Sequence, residues 1–166
     1  MKKHLLALTM VALFCLIASL CCVNSKQFGQ YDAVTVDNEV FFHVVTSFID
    51  EGRMVIIPCK GTSMLPMIQD GDALVLEPIK PNDIQLYDVV LYEPSPGSFF
   101  VNRVVKVNDQ SVTMMGDASV KSTKFNKSIV RARVTSFITN ENTAFSLVSQ
   151  EARTWAQSKH PKNCIL

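Results

Sequence analysis

The chain has 166 residues, enough for one ordinary domain, with 16 Lys+Arg set against 15 Asp+Glu. That balance, without a basic block, excludes a nucleic-acid partner as the leading expectation. Histidines at 4, 43 and 160 form no metal-ligand cluster, and the five cysteines show no C-x-x-C spacing, so neither a metal, a redox motif nor a cofactor is indicated.

Lys2 and Lys3 precede LLALTMVALFCLIASLCCV, residues 5–23, which carries no charge. As a helix this stretch would span about 28 Å, close to the thickness of the hydrocarbon core. Its length exceeds that of an ordinary signal-peptide core, and the paired lysines favour a cytoplasmic N-terminus. The expectation is a single-pass anchor within residues 1–25 that leaves the rest of the chain outside the membrane. The alternative is a signal peptide cut after Ser25. Cys15, Cys21 and Cys22 belong to this run, leaving Cys59 and Cys164, which are read as free or buried thiols rather than a pair.

Residues 26–36 are mixed and polar and form a tether; 37–140 make the domain, and 141–166 a helical tail. DNEVFFHVVTSFIDEG is predicted as a helix, with Asp37 or Asn38 to cap it and Gly52 to end it. Val40, Phe41, Val44, Val45, Phe48 and Ile49 recur at helical spacing, and His43 is expected to be a partly exposed helical residue. From residue 54 short strands follow: MVIIPC, DALVLEP, DVVLYEP, SFFVNRVVKV, SVTMMG and IVRARVTSFI, bounded by Gly, Pro, Asn, Asp or Ser. Residues 94–97 make one turn and 108–110 another. Residues 142–159 are predicted as a helix carrying Phe145, Leu147, Val148 and Trp155. No internal repeat is evident. The fold class is mainly β: a coiled antiparallel sheet or small open barrel with flanking short helices and the N-terminal membrane or signal helix.

Between the first two strands lies KGTSMLPMIQDGD, residues 60–72. A serine hydroxyl attacks only with a base in hydrogen-bond reach and donors for the oxyanion. Gly61 permits close approach of backbone to a substrate, and Pro66 restricts how the turn continues. Singly these are turn residues; the spacing G-x-S-M-x-P-x-x-x-x-G-D is far more restrictive.

GTSMLPMIQDGD resembles the nucleophile box of the type I signal peptidases and LexA-type self-cleaving repressors, a serine peptidase superfamily. NDIQLYDVVLYEP is similar to the family segment in which a glycine-aspartate pair opens a strand, with Tyr87 here in the glycine's place. FFVNRVVKV and VTMMGDAS resemble the base-bearing strand and a later Gly-Asp box. The resemblance covers about residues 53–120 and is closest to short bacterial signal-peptidase-like proteins.

It implies that Ser63 is the nucleophile of an endopeptidase acting on exported or membrane-tethered peptides. Gly61, Met64 and Pro66 would lie on the substrate side; for Met64, as for Leu65, a core-packing role is the equal alternative. The base, Lys or His in the family, belongs at the position held here by Asn102, and an amide nitrogen is no proton acceptor. Asp117 matches the aspartate that supports histidine in one branch. Arg103 is expected on the face opposite Asn102, and Lys106 on the same face but about 13 Å along the strand. Lys60 and His43 are further candidates for a substitute base. The alternative function is a catalytically degenerate relative that binds exported peptides or partners an active peptidase.

Overall fold

Residues 38–161 are described by a computed structural model. The anchor, the tether, Asp37 and Cys164 lie outside them. Among the described residues no helix is long and apolar enough to cross a membrane.

The helical spacing after residue 37 becomes α1, Asn38–Asp50. It buries Val45 and Ile49 and packs Phe41 and Phe42 against the sheet, while His43 is exposed. Phe42 stacks on Phe99 at 4.2 Å between ring centroids. Val40 and Val44, expected on the buried stripe, sit at its margin and are about half exposed. Gly52, at φ +81°, ends the helix. Its N–H donates to Ile49 and that of Arg53 to Phe48, a pairing that uses the last free carbonyls.

Eight strands follow: β1 Val55–Pro58, β2 Ala73–Pro78, β3 Val89–Ser95, β4 Ser98–Val107, β5 Ser111–Met115, β6 Ser122–Asn126, β7 Val130–Ile138 and β8 Ala144–Ser146. They form one antiparallel sheet in the order β1-β2-β7-β3-β4-β5-β6, with β8 pairing the far half of β7. The mainly β antiparallel class is thus observed, as an open sheet with two short helices. Both faces are covered along β3. Val89 and Leu91 join a core with Leu74, Leu76, Val134 and α1, while Val90 and Tyr92 join a second core with Val104, Val112 and Met114. A strand buried on both faces reads as a continuous apolar run, as VVLY does.

The tail differs from the expected single helix. Residues 144–146 add β8 to the sheet, and only Gln150–Lys159 are helical, as α2. The Ser149 hydroxyl caps α2 by accepting the Ala152 N–H, and Ala152 and Ala156 are buried.

A short internal repeat, unnoticed in the sequence, emerges from the geometry: QDGDALVLEP at 69–78 and QLYDVVLYEP at 85–94. Gly71 and Tyr87 both adopt positive φ, +89° and +72°. The aspartate that follows turns back in both copies: Asp72 Oδ2 accepts the Gln69 N–H at 2.8 Å, and Asp88 Oδ2 the Gln85 N–H at 2.9 Å. Each copy then opens a strand that flanks β7, one on either side.

Candidate functional site

The loop of residues 59–72 is tied to itself at its base. Asp70 Oδ1 accepts the Gly61 N–H at 2.7 Å, and Cys59 and Gly71 or Asp72 exchange backbone bonds. Gly61 has φ +101° with open space where a Cβ would stand, so its backbone conformation, not crowding, requires glycine. Ser63 is exposed, and its carbonyl accepts the Ala118 N–H at 3.0 Å. Pro66 is exposed too. Met64 is not: it is 2 % exposed and packs in the first core, so of its two expected roles, substrate contact and core packing, the structure gives it the second and it anchors the loop. Cys59 is a buried free thiol, pushed above its ordinary pKa by burial and then by Asp72 and Asp70.

Gly116 is where the loop meets the sheet. A Cβ there would stand 2.6 Å from the Ser63 carbonyl oxygen and 3.3 Å from Asn102 Oδ1. The Ser63 backbone and the Asn102 amide therefore converge on one point. Asn102 pairs across the strands with Val90, which sets its side chain on the second-core face. There Asn102 Nδ2 donates to the Tyr92 hydroxyl at 2.8 Å. Burial raises the Tyr92 pKa, and the Asn102 bond works weakly against it, so the phenol is neutral at ordinary pH. Chemically, this seat offers an amide oxygen and a phenol. It can orient a water or a peptide group but cannot take a proton from Ser63 at neutral pH.

The candidate substitute bases lie elsewhere. Lys60 is highly exposed and stands 3.9 Å from Asp70. His43 lines a separate polar depression with Glu93, Phe99 and Arg131. Lys106 does not share the face of Asn102. A bulge between Val104 and Lys106 changes the parity of β4: Val104 and Val107, opposite Met114 and Val112, both face the second core. Lys106 is thereby turned to the other face with Arg103.

Arg103 and Asp117 are wholly buried and joined by two hydrogen bonds, Nε to Oδ1 at 2.8 Å and a second guanidinium nitrogen to Oδ2 at 2.7 Å. A third nitrogen donates to the Tyr87 carbonyl. His160, at the end of α2, brings Nε2 to 3.0 Å from Asp117 Oδ1 and is itself buried. So Asp117 does meet a histidine, but one held in a sealed network with an arginine. Removing one partner of such a network costs about 3–5 kcal/mol. The network fixes the strand end and turn that carry Gly116 and Ala118, and through them Ser63.

Of the six residues singled out in the sequence, Ser63 and Asn102 are brought together, Gly61 and Pro66 shape the loop, and Met64 and Asp117 lie beneath it. Gly116, Tyr92 and His160 were missed as site residues. Gly116 stood in the quoted MMGDAS box; nothing local marked the other two. Among the described residues no group of three or more His, Cys, Asp or Glu is placed to hold a metal. No family model matches the chain, and no curated protein matches it either.

Proposed function

We propose that the protein is a signal-peptidase-like domain that binds extended peptides outside a membrane, with the nucleophile position retained and the general base lost. The observation that carries the reading is the convergence at Gly116 of the exposed Ser63 turn with the side chain of Asn102. The mainly β sheet and the loop between its first two strands are compatible with the superfamily fold that the sequence resembles. Extended peptide is the favoured ligand because β1 is an edge strand that runs into the Ser63 loop. An edge strand offers unpaired backbone groups to an added strand. Ile56 on β1 is 60 % exposed and Met54 beside it 62 %, apolar surface suited to an exported or membrane-tethered chain. The anchor at residues 5–23 would hold the domain at the membrane.

Losing a general base costs a serine hydrolase about 10²–10⁴-fold in rate, and more where nucleophile and base act as a unit. The natural chain is therefore a peptide binder or an extremely slow endopeptidase. The exposure of Ser63 favours the second reading, an active endopeptidase with a base supplied on substrate binding. The purified full chain, Ser63→Ala, Asn102→His and the double variant are to be incubated with peptides bearing signal-type cleavage sites, and products read by mass spectrometry. The proposal expects binding without cleavage by the natural chain, and Ser63-dependent cleavage by Asn102→His. Ser63-dependent cleavage by the natural chain would establish the active reading. Absence of both binding and cleavage in every variant would remove the peptidase-like reading altogether.

A further inference from the structure

The two copies of the turn repeat differ in how their buried carboxylates are neutralised. Asp88, in the second copy, is held by Arg133 at 2.9 Å and Arg153 at 3.2 Å. Asp72, in the first copy, is 2 % exposed, yet no cation among the described residues pairs with it. Its Oδ2 accepts the Gln69 N–H. Its other oxygen takes no hydrogen bond among the described residues, and no sealed side-chain polar atom lacks a partner. That oxygen is therefore the accessible part of the side chain.

Asp72 lines a cavity of about 610 Å³ between the 59–72 loop, the far end of β7, β8 and α2. Phe137, Phe145, Leu147 and Trp155 supply apolar walls, Glu151 adds a second carboxylate, and among the described residues no lysine, arginine or histidine lines it. Phe137 and Phe145 stack at 5.3 Å. Hydrogen bonds from its own backbone N–H and from Ser149 hold the Glu151 carboxyl below its usual range, so it is charged at neutral pH. Arg103 stands 5.4 Å from the Trp155 ring, but it does not line the cavity and Asp117 offsets its charge.

We propose that this cavity binds an organic cation, an ammonium or guanidinium group on an apolar body, with Asp72 as its counter-ion. The cation occupies the place that Arg133 and Arg153 take beside Asp88. A carboxylate withdrawn from water gains most from a paired, hydrogen-bonding cation, and aromatic walls favour the same charge. The volume is in the range of small-ligand sites. Two sources share this chemistry, a free arylalkylamine and a basic side chain of a peptide. The inference is independent of the peptidase-like reading, since neither Ser63 nor Asn102 lines the cavity.

Trp155 is the only tryptophan in the chain, so its emission reports occupancy directly. The full chain is titrated with 2-phenylethylamine, with its neutral counterpart 2-phenylethanol, and with N-acetylarginine amide. At least one cation is expected to saturate the signal, with the alcohol weaker than the amine by about tenfold or more, as loss of a charge-assisted bond implies. The tighter of the two cations identifies the source. Asp72→Asn keeps an acceptor for the Gln69 N–H and should weaken the preferred cation by about tenfold, and Glu151→Gln, at an exposed position, by a few-fold. Equal affinity for amine and alcohol, no saturable response to either cation, or an Asp72→Asn affinity within about twofold of the natural chain would overturn the proposal. If Asp72→Asn does not fold, the amine–alcohol comparison and Glu151→Gln decide it.

Discussion

Gly116 has far less room than Gly61, because a Cβ on it would meet both the Ser63 carbonyl and the Asn102 amide. A methyl group 2.6 Å from a backbone oxygen cannot be accommodated by rotating a side chain; the loop itself must move. Gly116→Ala is expected to destabilise the fold by about 1–3 kcal/mol, as overpacking does, and to abolish the cleavage gained by Asn102→His. Urea denaturation reads the first effect and peptide mass spectrometry the second; unchanged stability with retained cleavage would refute the contact. Tyr87 is the converse case, a bulky residue in a left-handed conformation that glycine usually fills. Such a residue carries roughly 1–2 kcal/mol of strain. It is compensated where the side chain is used: Tyr87 is 7 % exposed, its hydroxyl donates to the His160 carbonyl at 3.4 Å, and its own carbonyl accepts from Arg103.

At the level of elements, the repeated turns and the β4 bulge decide which groups face which core. In the first turn Asp72 secures only its own loop, whereas Asp88 in the second ties α2 and β7 to β3 through Arg153 and Arg133. Asp72→Ala is expected to cost about 1 kcal/mol, the loss of one capping bond. Asp88→Ala should cost about 2–3 kcal/mol more, because two arginines lose their partner; their partial exposure keeps the loss below that of a sealed pair. Equal urea midpoints for the two variants would contradict the difference. α1 and the six strands quoted from the sequence were legible because alternation, helical spacing and Gly/Pro punctuation are local signals. β6, STKFN, and β8, AFS, were not: the first is a polar outermost strand and the second is too short and exposed to show a pattern. Asn102 was placed on the correct strand, but Lys106 on the wrong face, since an inserted residue at a bulge leaves no mark in the alternation.

Across the whole molecule, the C-terminal segment closes the interior rather than trailing from it. β8 extends the sheet, α2 reaches Asp88 through Arg153, and His160 completes the network around Asp117. Truncation after Val148 would strip cover from the Arg103–Asp117 pair, remove the buried Ala152 and Ala156, and take away one wall of the cavity. The expected loss is about 3 kcal/mol or more, most of it from the opened ion pair. A fall in urea midpoint together with faster exchange of the Arg103 side-chain protons checks this, and a truncated chain of undiminished stability would show the tail to be dispensable.

The sequence by itself determined where the chain turns, which stretches become strands or helix, and that a serine stands on a loop between the first two strands. Glycine placement, apolar period and residue spacing are properties of neighbouring residues and are written along the chain. The tertiary structure alone decided that Ser63 and Asn102 meet at Gly116, that Asp117 is sealed with Arg103 and His160, and that Asp72 faces a cavity lined by no cation among the described residues. The meetings of Ser63 with Asn102 and of Asp117 with His160 join residues 39 and 43 positions apart, and that of Arg103 with Asp117 residues 14 apart. They depend on strand register, on one bulge and on where the tail docks, none of which leaves a local pattern to read.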